Sequence, residues 1–84
     1  MERGRDLLKS GDVASARLVF NRLANAGIAD AALALAATYD PRYLAQHNPI
    51  GVAGDETKAR DWYQRATELG SAEAGRILAQ TNDD

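Results

Sequence analysis

Apolar residues recur along this chain at helical intervals, and no stretch alternates apolar with polar residues in the manner of a strand. Val13, Ala16, Phe20, Leu23 and Ala24 fall on one face of a helix expected over about 13–26. Ala59, Trp62, Tyr63 and Ala66 sit at i, i+3, i+4 and i+7, one stripe of a second helix over about 55–69. An Ala- and Leu-rich run predicts a helix over 29–39, and shorter ones are expected over about 2–10 and 72–81. The pattern therefore predicts an all-α chain of about five helices.

The boundaries carry their own chemistry. Gly11, Gly27 and Gly70 follow the expected helix ends, where a residue without a Cβ lets the backbone turn away. Asp12, Asp55 and Ser71 stand where a side-chain oxygen can cap the next helix. Asp40-Pro41 marks a stop, because proline disfavours the helical conformation of the residue before it. From Asp40 to Gly54 the chain reads as a long connection carrying Arg42, Tyr43, His47 and two prolines. A connection of that length inside a small domain is unusual and often functional. Asn82-Asp83-Asp84 is expected to fray.

Laid over itself with an offset of 43 residues, the chain matches in a single register. Gly11-Asp12 falls on Gly54-Asp55, Ala16-Arg17 on Ala59-Arg60, Phe20 on Tyr63, and Asn21-Arg22 on Gln64-Arg65. Gly27 falls on Gly70, Ala29 and Ala31 on Ala72 and Ala74, and Leu35-Ala36 on Leu78-Ala79. Helix breaker, cap, small contact residue and aromatic filler are the parts a helical hairpin needs, and a period of this size points to stacked helix pairs.

Composition narrows the function classes. The 84 residues suffice for one domain, and 45% are hydrophobic with few aromatics, so the core leans on Ala and Leu. A net charge of −2, with no long basic cluster, argues against nucleic-acid binding, which depends on neutralising phosphates. Cysteine is absent, which removes disulfides and thiolate metal sites but does not separate cytoplasm from periplasm. No apolar run has the length of a membrane span, and Met1 to Asp6 lacks the apolar core of a signal peptide.

Reactive groupings are missing as well. His47 is the single histidine and has no partner set for catalysis or metal binding. Gly51 and Gly54 are not followed by the Lys-Ser or Lys-Thr of a phosphate loop. Neither enzymatic activity nor a cofactor or metal is expected. Trp62 and Tyr63 are expected to fill the space between helix pairs, and Asp61 with Arg65 to support their helix as an i, i+4 ion pair.

The stretch Gly51-Val52-Ala53-Gly54-Asp55, Ala59, Trp62-Tyr63, Ala66, Gly70 and Ala72-Glu73-Ala74 resembles the Sel1-like repeat, a relative of the tetratricopeptide repeat. Ala31, Leu35-Ala36 and Tyr39 extend the resemblance, and Gly4, Leu7, Gly11, Ala16 and Phe20 are similar to a generic tetratricopeptide unit. Ala36 stands where that family usually has glycine, and the connection from Asp40 to Gly54 is several residues longer than its pattern.

The resemblance implies a short right-handed superhelix of antiparallel helix pairs in one domain. Its first repeat would span about 1–27 and its second about 28–70, with the long 40–54 loop, before a C-terminal capping helix at 71–82. It also implies a non-enzymatic adaptor or scaffold, of a kind widespread in bacteria, that receives a protein or peptide in a concave groove. By position, the groove would be lined by Arg5, Leu8 and Lys9, by Asp30, Leu33, Ala37 and Asp40, and by Glu73, Arg76 and Gln80. Arg42, Tyr43 and His47 are the candidates on the long loop. The alternative is an assembly module that packs on other domains of a longer protein or on a second copy of itself.

Overall fold

Three helices start on the side-chain caps expected of them. The Asp12 carboxylate accepts the Ser15 N–H, and Asp55 accepts that of Lys58, each at 3.1 Å. The Ser71 hydroxyl accepts the Ala74 N–H, also at 3.1 Å. A computed structural model describes residues 1–47 and 51–81, without the Thr81 side chain. Among them the chain forms α1 (Glu2–Lys9), α2 (Val13–Asn25), α3 (Ala29–Tyr39), α4 (Pro41–His47), α5 (Glu56–Glu68) and α6 (Ala72–Thr81), with no strand. None of these helices is long and apolar enough to cross a membrane.

The extra helix, α4, corrects the expectation of an irregular 40–54 connection. Pro41 ends α3, but its fixed φ and missing N–H also suit the first position of a new helix. Asp40 completes the start, its carboxylate accepting the Arg42 N–H at 2.9 Å. Pro49 and Asn82-Asp83-Asp84, where the second proline and a frayed end were expected, lie outside the described residues.

Successive elements pack in order: α1 on α2, α2 on α3, α3 on α5 and α5 on α6, with α4 held against α3. The larger core cluster holds Ala24, Ala31, Ala32, Ala36, Ala59, Ala66 and Ala74 around Tyr63. A side chain as short as alanine's brings helix backbones close together, so the one aromatic supplies most of the filling volume. Ala16, Phe20 and Leu35 make a second cluster. Met1, Tyr39 and Trp62 pack against both and join them. Trp62 and Tyr63 thus lie in the packing between helices, as their stripe implied.

Glycines paired by the 43-residue offset serve the same turn in one case and different ends in the other. Gly27 and Gly70 have φ of +92° and +111°, and the residue after each donates back into the preceding helix, Ile28 to Leu23 and Ser71 to Ala66. Gly11 also has positive φ, but Gly54 does not. A Cβ at Gly54 would stand 3.0 Å from Pro41 Cγ and 3.2 Å from the Tyr39 carbonyl oxygen, so close approach of two backbones requires glycine there. Beside it, the Asp55 N–H donates to the Tyr39 carbonyl at 2.8 Å. The excursion that leaves α3 at Asp40 therefore returns to the same point.

Arg17 fastens this closure from α2. Its guanidinium lies 4.0 Å from the centre of the Tyr39 ring, contacts the Thr38 hydroxyl at 3.3 Å, and donates to the carbonyls of Thr38 and Ala53. Thr38 is itself fully buried and donates its hydroxyl to the Leu35 carbonyl at 2.6 Å. Replacing Arg17 with methionine keeps most of the stem but loses the stacked charge and the donors. Urea unfolding of the variant should show a loss of about 1–3 kcal/mol. Arg17→Lys should recover little, since one ammonium cannot stack and reach two carbonyls with a planar fork. Equal stability of Arg17→Lys and the parent would show that charge alone matters here.

Candidate functional site

Asp40 is the centre of the most polar interior part of the molecule. It is the last residue before Pro41, and it caps α4 while its other contacts reach across to α5. Tyr63 donates its hydroxyl to Asp40 Oδ2 at 2.7 Å. The Arg42 guanidinium approaches the same carboxylate at 3.3 and 3.4 Å, the only ion pair among the described residues. Burial by itself would raise the Asp40 carboxyl, but the hydrogen bonds from Tyr63 and Arg42 outweigh it and hold the group below its ordinary value. Tyr63 moves the other way: burial, then donation to a carboxylate, pushes its hydroxyl well above the usual phenol range.

A concavity of about 340 Å³ opens beside this node, where α4, α5 and α6 meet. Asp40 and Arg42 line it from one side, Glu56, Arg60 and Tyr63 from α5, and Gln80 from α6. A second hollow of about 230 Å³ shares Asp40, Arg42 and Gln80 and adds Tyr43, Gln46 and Ile77. Arg42 is half-exposed, so one edge of its guanidinium remains available while the other holds Asp40. Arg60 is exposed and has no hydrogen bond or ion pair among the described residues. Two guanidiniums and two carboxylates leave the lining without net charge. Such a surface offers donors and acceptors side by side and has little general attraction for an anion.

The residues assigned to a groove by position divide into three groups. Arg5, Lys9, Asp30, Glu73, Arg76 and Gln80 are exposed, as a binding row requires. Leu8, Leu33 and Ala37 are half-buried, and both leucines pack against the core clusters. Leu33 therefore has a packing role. Asp40 departs furthest from the expectation, being buried with its carboxylate already occupied. Its value to a site lies in fixing Arg42 and Tyr63.

Of the loop candidates, Arg42 and Tyr43 line these hollows, and His47 does not. His47 stacks on Tyr43 with ring centres 4.0 Å apart, and its Nδ1 lies 2.9 Å from the Tyr43 carbonyl, a one-turn contact within α4. Asp61 and Arg65 do not form the ion pair expected of them. Glu56 and Arg60 also line the concavity, and neither was assigned to a site from the sequence, although Arg60 aligned with Arg17 in the self-comparison.

No family model, curated protein or solved structure matches this chain.

Proposed function

We propose that the chain is a non-enzymatic interaction module of the Sel1-like/tetratricopeptide kind, a short superhelix of helix pairs that holds a protein or peptide segment. The observation that carries this reading is the convergence of Arg42, Arg60 and Gln80 from three helices on one polar concavity. Peptide backbones present alternating donors and acceptors, and a lining of mixed guanidinium, carboxylate and amide groups complements that edge. The exposed residues Asp30 on α3 and Glu73, Arg76 and Gln80 on α6 are the further contacts that the groove expectation adds.

Self-assembly is the second reading, favoured by Leu18, an exposed leucine on α2 that stays 71% accessible. Light scattering coupled to size exclusion separates the two. A module that binds foreign segments should elute as a 9.0 kDa monomer at every concentration tested. A mass that doubles with concentration, and returns to the monomer value in Leu18→Glu, would move the function to assembly.

For the binding reading, Arg76→Glu should weaken an identified partner by about tenfold, as loss of a charge-assisted contact does. Its melting temperature should stay unchanged, because Arg76 is exposed. Unchanged affinity would remove the α6 face from the interface.

A further inference from the structure

The self-match at an offset of 43 pairs Arg17 with Arg60, and the two arginines stand in opposite situations. Arg17 is fully engaged by the chain itself: an aromatic ring under its guanidinium, the carbonyl at the end of a helix, and the Ala53 carbonyl of a returning segment. The groups that occupy it are the α3 terminus, Thr38-Tyr39, and the segment that comes back beside it. Among the described residues Arg60 has no such partners, and it lines a concavity instead. Continuing the match, Ala37 pairs with Gln80 and Thr38 with Thr81, while Tyr39 pairs with Asn82. The ring that covers Arg17 thus has no aromatic counterpart in the chain at the second position.

We infer that the concavity at Arg60 binds an extended peptide segment carrying an aromatic residue, which supplies to Arg60 the ring and carbonyl that Tyr39 and Ala53 supply to Arg17. This rests on the interaction-module reading and names the partner's chemistry. The ring stacks on the Arg60 guanidinium, as planar cations do on aromatic faces. A backbone carbonyl of the segment accepts from the same guanidinium, and the free edge of Arg42 takes a second. Glu56 and Gln80 remain to meet the segment's N–H groups. A simple anion fits less well, because Asp40 and Glu56 cancel the charge of Arg42 and Arg60.

The test is selection of displayed random linear peptides on the intact chain, followed by amide chemical-shift mapping with the enriched sequences. Arg60→Ala is the companion variant, with circular dichroism to establish that it folds. Peptides rich in Tyr, Phe or Trp should shift Arg42, Arg60 and Gln80, and Arg60→Ala should weaken them roughly tenfold, the loss of one stacked, hydrogen-bonded guanidinium. Replacing the peptide's aromatic residue by alanine should have a similar effect. Peptides that bind elsewhere, or bind equally well without an aromatic, would overturn this inference and leave the broader interaction reading intact. Inorganic phosphate producing the same shifts would recast the concavity as an anion site and also overturn it. Failure to select any peptide would count against both readings.

Discussion

Phe20→Ala is expected to lower the unfolding free energy by about 3–5 kcal/mol, the usual cost of emptying a buried aromatic site. A domain of this size has roughly 5–10 kcal/mol in total, so the variant should be close to half unfolded under mild denaturant. The ring is completely buried, one of the three largest fully enclosed side chains together with Leu35 and Thr38. Its neighbours in the cluster are Ala16 and Leu35, with Leu7 and Leu8 of α1 packed against it. Without the ring, α1 loses most of what holds it to α2.

Gly4 makes that expectation sharper. A Cβ added at Gly4 would lie 2.4 Å from Phe20 Cε1 and 2.6 Å from Cζ. The α1 backbone therefore rests directly on the ring. In the parent, Gly4→Ala should cost about 1–3 kcal/mol from overpacking, set against a gain of up to about 1 kcal/mol in helix propensity. With Phe20→Ala in place the obstacle is gone, and the same Gly4→Ala change should become stabilising. Urea denaturation of the four proteins measures this reversal of sign, with Phe20→Leu as the background where Phe20→Ala leaves too little folded protein. A Gly4→Ala effect that is the same in both backgrounds would mean that α1 does not rest on Phe20.

The parts of this fold that were legible in the sequence are those in which one residue acts on its own helix. Asp12, Asp55 and Ser71 cap within three residues, and Gly27 and Gly70 turn the chain where they stand. The apolar stripe of α5 likewise named the buried positions Ala59, Tyr63 and Ala66. What stayed hidden depends on residues far apart in the chain. Proline before an expected loop signals a stop and a start equally well, and only the Asp40 side chain, turned toward the Arg42 N–H, decides for the start. Arg17 stood in the self-match without a role, because its partners Thr38, Tyr39 and Ala53 lie 21 or more residues away. The site was partly legible: Arg42, Tyr43 and Gln80 were named for other reasons, whereas Arg60 stood in the self-match without a function. Asp40 was placed on a surface because helical position alone does not reveal that a tyrosine from the next helix will reach over it.

Asp40→Ala should be the second most damaging single change, at about 2–4 kcal/mol, from a lost helix cap plus a buried hydroxyl left without its acceptor. Tyr63→Phe should cost less, about 1–2 kcal/mol, because Asp40 then still keeps Arg42 and the α4 N–H. The aromatic ring itself is retained in that variant, and Phe20 already occupies the paired position. The pH dependence follows from the depressed carboxyl. Its folded value lies below the ordinary 3.8, so the stabilisation is fully present above that pH and disappears as pH falls through the folded value. Asp40→Asn has no proton to take up there. The stability gap between the parent and Asp40→Asn should therefore be constant from pH 5 to 8 and narrow steadily below about pH 4. Tyr63 gives the converse signature at high pH: its raised value means stability that holds up to the ordinary phenol range and is lost above it, a loss that Tyr63→Phe should abolish. Parallel acid limbs for parent and Asp40→Asn would show that the carboxylate is no better held in the folded chain than in the unfolded one. The Tyr63–Asp40–Arg42 node would then be a packing contact with no electrostatic hold on α4.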